Sequence, residues 1–214
     1  MELINRWIYR VLGRKQLQLI MKRRLLILLC LPMIGFGQNI NFMSGVTISN
    51  FTVQDTNSLS TDNSRVGLMC GFSGDIYRSN KKKISSELFY CQKGSKDFFH
   101  MNDLNLTIKA HYFFNDKISF NVGPSLSYII SGRTFGKEGS WRKIEKDDKR
   151  YLNLLSYNGS LGLSYNINEV LIIEYGLNIS LVNNIKDRNK PLNNIQLVKE
   201  GFTHIISISY KLIK

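Results

Sequence analysis

Cysteine, proline and long apolar runs are all scarce in this 214-residue chain, and each shortage removes a class of protein. The three cysteines, Cys30, Cys70 and Cys91, are too few for a disulfide scaffold. Three prolines leave long stretches free to pair as strands. Beyond residue 38 no segment offers roughly 18 uninterrupted apolar residues, which excludes a membrane protein that crosses with helices. The three histidines, His100, His111 and His204, lack the close spacing of a metal site. Nucleophile elbows, phosphate loops and dinucleotide fingerprints are missing as well. The sequence therefore predicts no catalytic, cofactor-binding or metal-ligating residues, no cofactor and no enzyme.

Acid is the last shortage. Asp and Glu number 16 against 29 Lys and Arg, a formal charge of +13. Seven of those basic residues and one acidic residue lie in 1–37, which leaves +7 on the rest. A basic surplus raises nucleic acid as a partner. Export from the cytoplasm argues against it, and anionic lipid and lipopolysaccharide fit better.

Export is written into residues 21–38, MKRRLLILLCLPMIGFGQ. Lys22, Arg23 and Arg24 form a basic start, Leu25 to Phe36 a short apolar run, and Gly35-Phe36-Gly37 resembles a small-x-small cleavage site before Gln38. This is the layout of a secretory signal peptide. The apolar run is too short for a spanning helix, which needs about 20 residues. Bulky Leu29 before Cys30 disfavours lipid attachment to that thiol. Residues 1–20 read as a non-native start-site extension, 21–37 as the signal peptide and 38–214 as a single barrel domain.

What fills the barrel domain is alternation. In LNLTIKAHYFF, Leu104, Leu106, Ile108, Ala110, Tyr112 and Phe114 oppose Asn105, Thr107, Lys109 and His111. In LIIEYGLNISL, Leu171, Ile173, Tyr175, Leu177, Ile179 and Leu181 oppose Glu174, Gly176, Asn178 and Ser180. A period of two over such lengths is a strand signal. Eight runs follow this rule, at 40–53, 64–78, 82–94, 103–114, 117–130, 151–167, 169–182 and 201–213. Their links alternate between short turns and the long polar stretches 54–63, 95–102, 131–150 and 183–200. Short turns at one end and long loops at the other predict an all-β, eight-stranded antiparallel up-and-down transmembrane barrel, with its turns and both termini in the periplasm.

The two faces differ in kind. One is wide and rich in Leu, Ile and aromatics; the other holds Gly, Ser, Asn and charges. A soluble lipocalin-like binding barrel, the alternative, needs the apolar face inside, and a core of Ser, Asn, Glu and Lys would not close it. Arg65, Asp75, Glu87, Lys109, Glu174 and Lys211 fall on inward positions, as do Met69, Tyr77, Phe89, His111 and Phe113. Eight strands leave room only for side chains, so the charges are expected to pair and plug the lumen. Cys70 should face lipid and Cys91 the lumen, which forbids a bond between them.

Four stretches carry a family resemblance: Gly45-Val46-Thr47-Ile48-Ser49-Asn50-Phe51; Ser86 through Gly94; Asn121-Val122-Gly123-Pro124; and Ile208-Ser209-Tyr210-Lys211-Leu212. Together they resemble the PorT-like outer-membrane β-barrel family of Gram-negative envelopes. Leu212, followed by Ile213-Lys214, stands where such barrels commonly end on an aromatic residue. The resemblance implies a bacterial outer-membrane barrel, inserted by the barrel-assembly machinery, with an envelope protein partner and a link to secretion or gliding machinery. It transfers no catalytic residues. A lipid A deacylase-like enzyme is the second alternative, with His204 and Glu200 on the membrane face. Arg133, Lys137, Arg142, Lys143, Lys149 and Arg150 in the third long link could meet lipopolysaccharide phosphates, but Glu138, Glu145, Asp147 and Asp148 interleave with them, which favours a plain solvated loop.

Overall fold

A computed structural model of the chain describes residues 39–55, 58–61, 64–96, 99–135, 141–143, 154–181 and 197–212. The signal peptide and the extension before it lie outside them. Eight long strands form the wall: β1 (Ile40–Asp55), β3 (Arg65–Arg78), β4 (Lys82–Ser95), β5 (Phe99–Phe113), β6 (Ile118–Phe135), β8 (Leu155–Asn166), β9 (Leu171–Ser180) and β10 (Leu197–Lys211). Two short ones, β2 (Ser58–Thr61) and β7 (Trp141–Lys143), extend β1 and β6 at the long-loop end.

Every neighbour pair is antiparallel and sequential, and β10 returns to β1. That last pairing runs from Asn41↔Lys211 to Gln54↔Leu197 and closes the sheet. Closure leaves no long edge strand with unpaired backbone groups, the condition for crossing hydrocarbon with strands. The turns are short and locally determined. Asn115 Oδ1 accepts from the backbone N–H groups of Lys117 and Ile118 at 2.9 and 2.8 Å. Asn168 does the same for Val170 and Leu171 at 2.9 and 2.7 Å. An Asn side chain that mimics a backbone turn is what makes each hairpin tight.

The side-chain faces follow the alternation. Phe42, Leu68, Phe72, Leu104, Ile108, Phe120, Val122, Leu161, Leu163, Tyr175, Ile206 and Ile208 are exposed on the outside. Inside, Thr47, Glu87, Asn105, Thr107, Asn121, Asn158, Ser160, Glu174, Asn178 and Thr203 are buried. A water-soluble protein would reverse this order. Narrow glycine positions let the wall curve: a Cβ on Gly123 would lie 1.8 Å from the Ile108 carbonyl oxygen, so only glycine permits that approach. Cys70 is exposed outside and Cys91 buried inside, and no disulfide joins them.

Two expectations change. Tyr77, expected inside, is outside and 53% exposed. A β-bulge between Asp75 and Tyr77 makes Ile76 the extra residue and pairs Tyr77 with outward Ile84. The extra residue shifts the phase of everything after it. The strands also outrun their predicted limits at the long-loop end: β1 continues to Asp55, β5 begins at Phe99, β6 reaches Phe135 and β10 begins at Leu197. At the same end β8 instead begins later, at Leu155 rather than 151. Above the lipid slab nothing demands alternation, yet backbone pairing persists.

Candidate functional site

Strand β4 runs the length of the lumen and shows its layers in order. Its inward residues are Lys83, Ser85, Glu87, Phe89, Cys91, Lys93 and Ser95, from the short-turn mouth outward. Lys83 Nζ meets Asp75 at 3.4 Å, and exposed Arg78 reaches the same carboxylate at 3.6 Å. This is the floor of an open mouth of about 630 Å³, walled by Asn41, Lys117, Asn166 and Lys211 among others.

One level up, Lys109 on β5 stands between two carboxylates. Its Nζ lies 2.9 Å from Glu87 Oε2 and also donates to Glu174 Oε1. All three side chains are buried. Ser164 Oγ donates to the second oxygen of Glu174 at 3.0 Å, and Asn121 Nδ2 donates to Ser164 at 3.0 Å. The chain of contacts ties β4, β5, β6, β8 and β9 together across the barrel. Lys109 serves both acids at once, and in this low-dielectric space a charge left without a partner would cost several kcal/mol.

Phe89 begins an apolar layer with Met43, Met69, Cys91 and Ile205. Beyond it comes an amide and hydroxyl ladder: Asn105 Nδ2 donates to Cys91 Sγ at 3.1 Å, Ser127 donates to Asn105 Oδ1, and Asn158 Nδ2 donates to Ser127 at 2.6 Å. The outer layer is a second buried ion pair, Lys93 with Asp103 at 3.3 Å. Two voids lie within this stack, about 10 Å³ beside Phe89 and Lys109 and about 20 Å³ beside His111. Each is about the size of one probe sphere of water.

Of the inward charges predicted from sequence, Glu87, Lys109 and Glu174 meet in one cluster, and Asp75 pairs separately with Lys83 and Arg78 at the mouth. Arg65 instead donates to the Lys93 carbonyl at 2.8 Å near the outer end, and Lys211 stands half-buried at the mouth. The Lys93–Asp103 pair was not among the expected lumen charges, although both residues lie inside expected strands, 82–94 and 103–114. Its signal was available, since both positions share the inward odd parity. His100, assigned to the 95–102 loop, lies in β5 opposite Gly94 and Arg133. His111 is buried and bonded to Ser85 Oγ at 2.8 Å.

His204 faces outward, as expected. Its Nδ1 lies 2.7 Å from the Tyr175 hydroxyl, with the rings stacked at 6.0 Å. Ser207 is buried on the opposite face, and the Glu200 side chain lies outside the described residues. Among the described residues no cluster of His, Cys, Asp and Glu could hold a metal. Lys137, Lys149 and Arg150 also lie outside them; Arg133 and Lys143 are exposed at the outer end of the sheet.

Comparison with known proteins agrees with this geometry. The family model for the outer membrane protein β-barrel domain matches residues 36–186. Neisserial surface protein A has 11% identity and a TM-score of 0.51, covering 81% of this chain and 97% of its own. Ail, the attachment invasion locus protein of Yersinia pestis, has 11% identity, coverage of 82% and 99%, and a TM-score of 0.45. OprG from Pseudomonas aeruginosa has 12% identity, coverage of 83% and 97%, and a TM-score of 0.43. At such identities the likeness to Neisserial surface protein A concerns the fold alone. A search of curated proteins gave no match. With a closed eight-stranded wall, an apolar exterior and a family match over most of its length, the chain belongs to the outer membrane protein β-barrel domain family and resides in the bacterial outer membrane.

Proposed function

We propose that this protein is a non-catalytic outer-membrane barrel with a plugged lumen, which acts through its long extracellular loops on lipopolysaccharide and on an envelope protein partner. The observation that carries the reading is the set of inward side chains, with ion pairs at two levels, an apolar layer between them and, among the described residues, voids of about 10 and 20 Å³ beside them. A diffusion pore needs a water column, and eight strands leave none once side chains interdigitate. Function then falls to the surfaces. The PorT-like resemblance supports a role beside secretion or gliding machinery and insertion by the barrel-assembly machinery. Purified protein in a planar bilayer is expected to give no stable ohmic conductance at neutral pH. Uniform single-channel steps that scale with salt would refute the plug.

The competing lipid-modifying reading rests on His204, whose partner on the membrane face is a tyrosine hydroxyl rather than a serine. Lipid A from cells with and without the protein should therefore carry the same acyl chains by mass spectrometry. A changed acyl pattern would revive catalysis.

The leader belongs to the same proposal. Residues 21–37 act as the signal peptide, residues 1–20 are not part of the native product, and the mature chain starts at Gln38. N-terminal sequencing of envelope protein is expected to return Gln38 or an immediate neighbour; Met1 or Met21 would defeat it.

A further inference from the structure

We propose that the short-turn mouth of the lumen is a binding pocket for a neutral oligosaccharide, held by Asp75, Asn41, Asn166 and Lys83. The mouth holds about 630 Å³, within the roughly 300–1,000 Å³ typical of pockets that take a compact organic ligand. It narrows inward to the void of about 20 Å³ beside His111, and Asn41, Lys83, Asn166 and Ile172 line both spaces. The two are therefore one funnel. Glu87 and Glu174 close its tip, with Lys109 and the apolar layer around Phe89 beyond them. A molecule that enters from this end meets a floor.

The charges of the funnel are already matched to one another. Buried Asp75 stands between Lys83 at 3.4 Å and Arg78 at 3.6 Å. The two acids at the tip share Lys109. The rim mixes Lys117 and Lys211 with Asp116 and Glu169. An ammonium ligand would meet Lys83 and Arg78 first, and a carboxylate or phosphate would meet Asp75. A neutral ligand avoids both repulsions.

Hydrogen bonding is what the funnel offers. Asp75 Oδ1 and His111 Nδ1 are buried, and neither makes a hydrogen bond. Asp75 thus keeps an acceptor for a ligand although its charge is matched. His111 is held through its other nitrogen by Ser85 and stands opposite Lys83 across the β4–β5 pair. Ser73, Ser119 and Ser209 add hydroxyls at the tip. A ligand hydroxyl both donates and accepts, so it suits either tautomer of His111, the serines and the Asn41 and Asn166 amides alike. The void at the tip takes one oxygen, from the ligand or from a water bound with it. Phe113 and Ile172, both half-buried, give apolar surface to the C–H face of a sugar ring. Many hydroxyls on a compact ring describe a saccharide. Its arrival from the periplasm rests on the reading that places the short turns there.

The test uses the refolded full-length barrel in micelles of a zwitterionic, sugar-free detergent, with N,N′-diacetylchitobiose and maltose as probes. Isothermal titration is expected to give at least one of them a Kd of about 1 mM or tighter, unchanged by added salt. In the parent, NMR amide signals of Asn41, Lys83, His111 and Asn166 should shift, while those of Ser127 and Asn158, beyond the apolar layer, stay fixed. Asp75→Ala is expected to lose at least about tenfold in affinity, and Lys143→Gln, at the opposite end, to bind as the parent does. Heat-modifiable gel migration reports folding, and Asn166→Leu, expected to weaken binding too, serves should Asp75→Ala misfold. Neither heat nor shifts with either saccharide, shifts confined to the far half, or undiminished binding by the folded variants would each overturn the pocket. Affinity that falls with salt, or tighter binding of succinate or putrescine, would overturn the neutral class. Channel steps in a bilayer refute the plug, and absent saccharide binding refutes this pocket, so the two failures are distinguishable.

Discussion

Replacing Lys109 by alanine is expected to lower the stability of the refolded barrel by about 3–5 kcal/mol, the range for removing one partner of a buried ion pair. Among the described residues its ammonium is the only cation paired with both Glu87 and Glu174, and all three groups are buried. Without it two carboxylates share a space that holds about 10 Å³ of void. Ser164 and Asn121, which order Glu174, would lose their anchor. Denaturant titration in micelles measures the loss. The diagnostic comparison is the triple variant Lys109→Met with Glu87→Gln and Glu174→Gln, which removes the charges together and should recover most of the stability. A Lys109→Ala change within about 0.5 kcal/mol, the range of a neutral surface substitution, would mean the network is not what holds the lumen.

Leu161→Arg tests the opposite face. Leu161 lies midway along β8, outward, between Val122 on β6 and Leu177 on β9. Arginine at a lipid-facing midplane position costs about 2–4 kcal/mol. Leu161→Ala removes contact area without adding charge, so the gap between the two variants isolates lipid exposure. Refolding into phospholipid vesicles followed by denaturant titration gives both midpoints. Coincident midpoints would argue that this wall meets water or another protein rather than hydrocarbon.

The sequence by itself determined the class, the number of long strands and the face of nearly every residue between the two membrane surfaces. The reason is local: hydrocarbon on one side and a crowded polar lumen on the other force a period of two, as in β5 and β9. The same force set Cys70 outside and Cys91 inside. Asn115 and Asn168 fixed their hairpins within four residues. Tertiary structure decided what depends on partners distant in the chain. Parity sends Lys109 inward, but only the closed sheet brings it to Glu174, 65 residues later. The bulge that turns Tyr77 outward is a mismatch between two strands and has no signature in either. Above the membrane, where alternation is not enforced, pairing alone carried β5 down to Phe99 and β6 up to Phe135. It brought Lys93 to Asp103 inside and His100, Arg133 and Lys143 into one row outside. Register is a long-range property, set by how eight strands share one closed circumference.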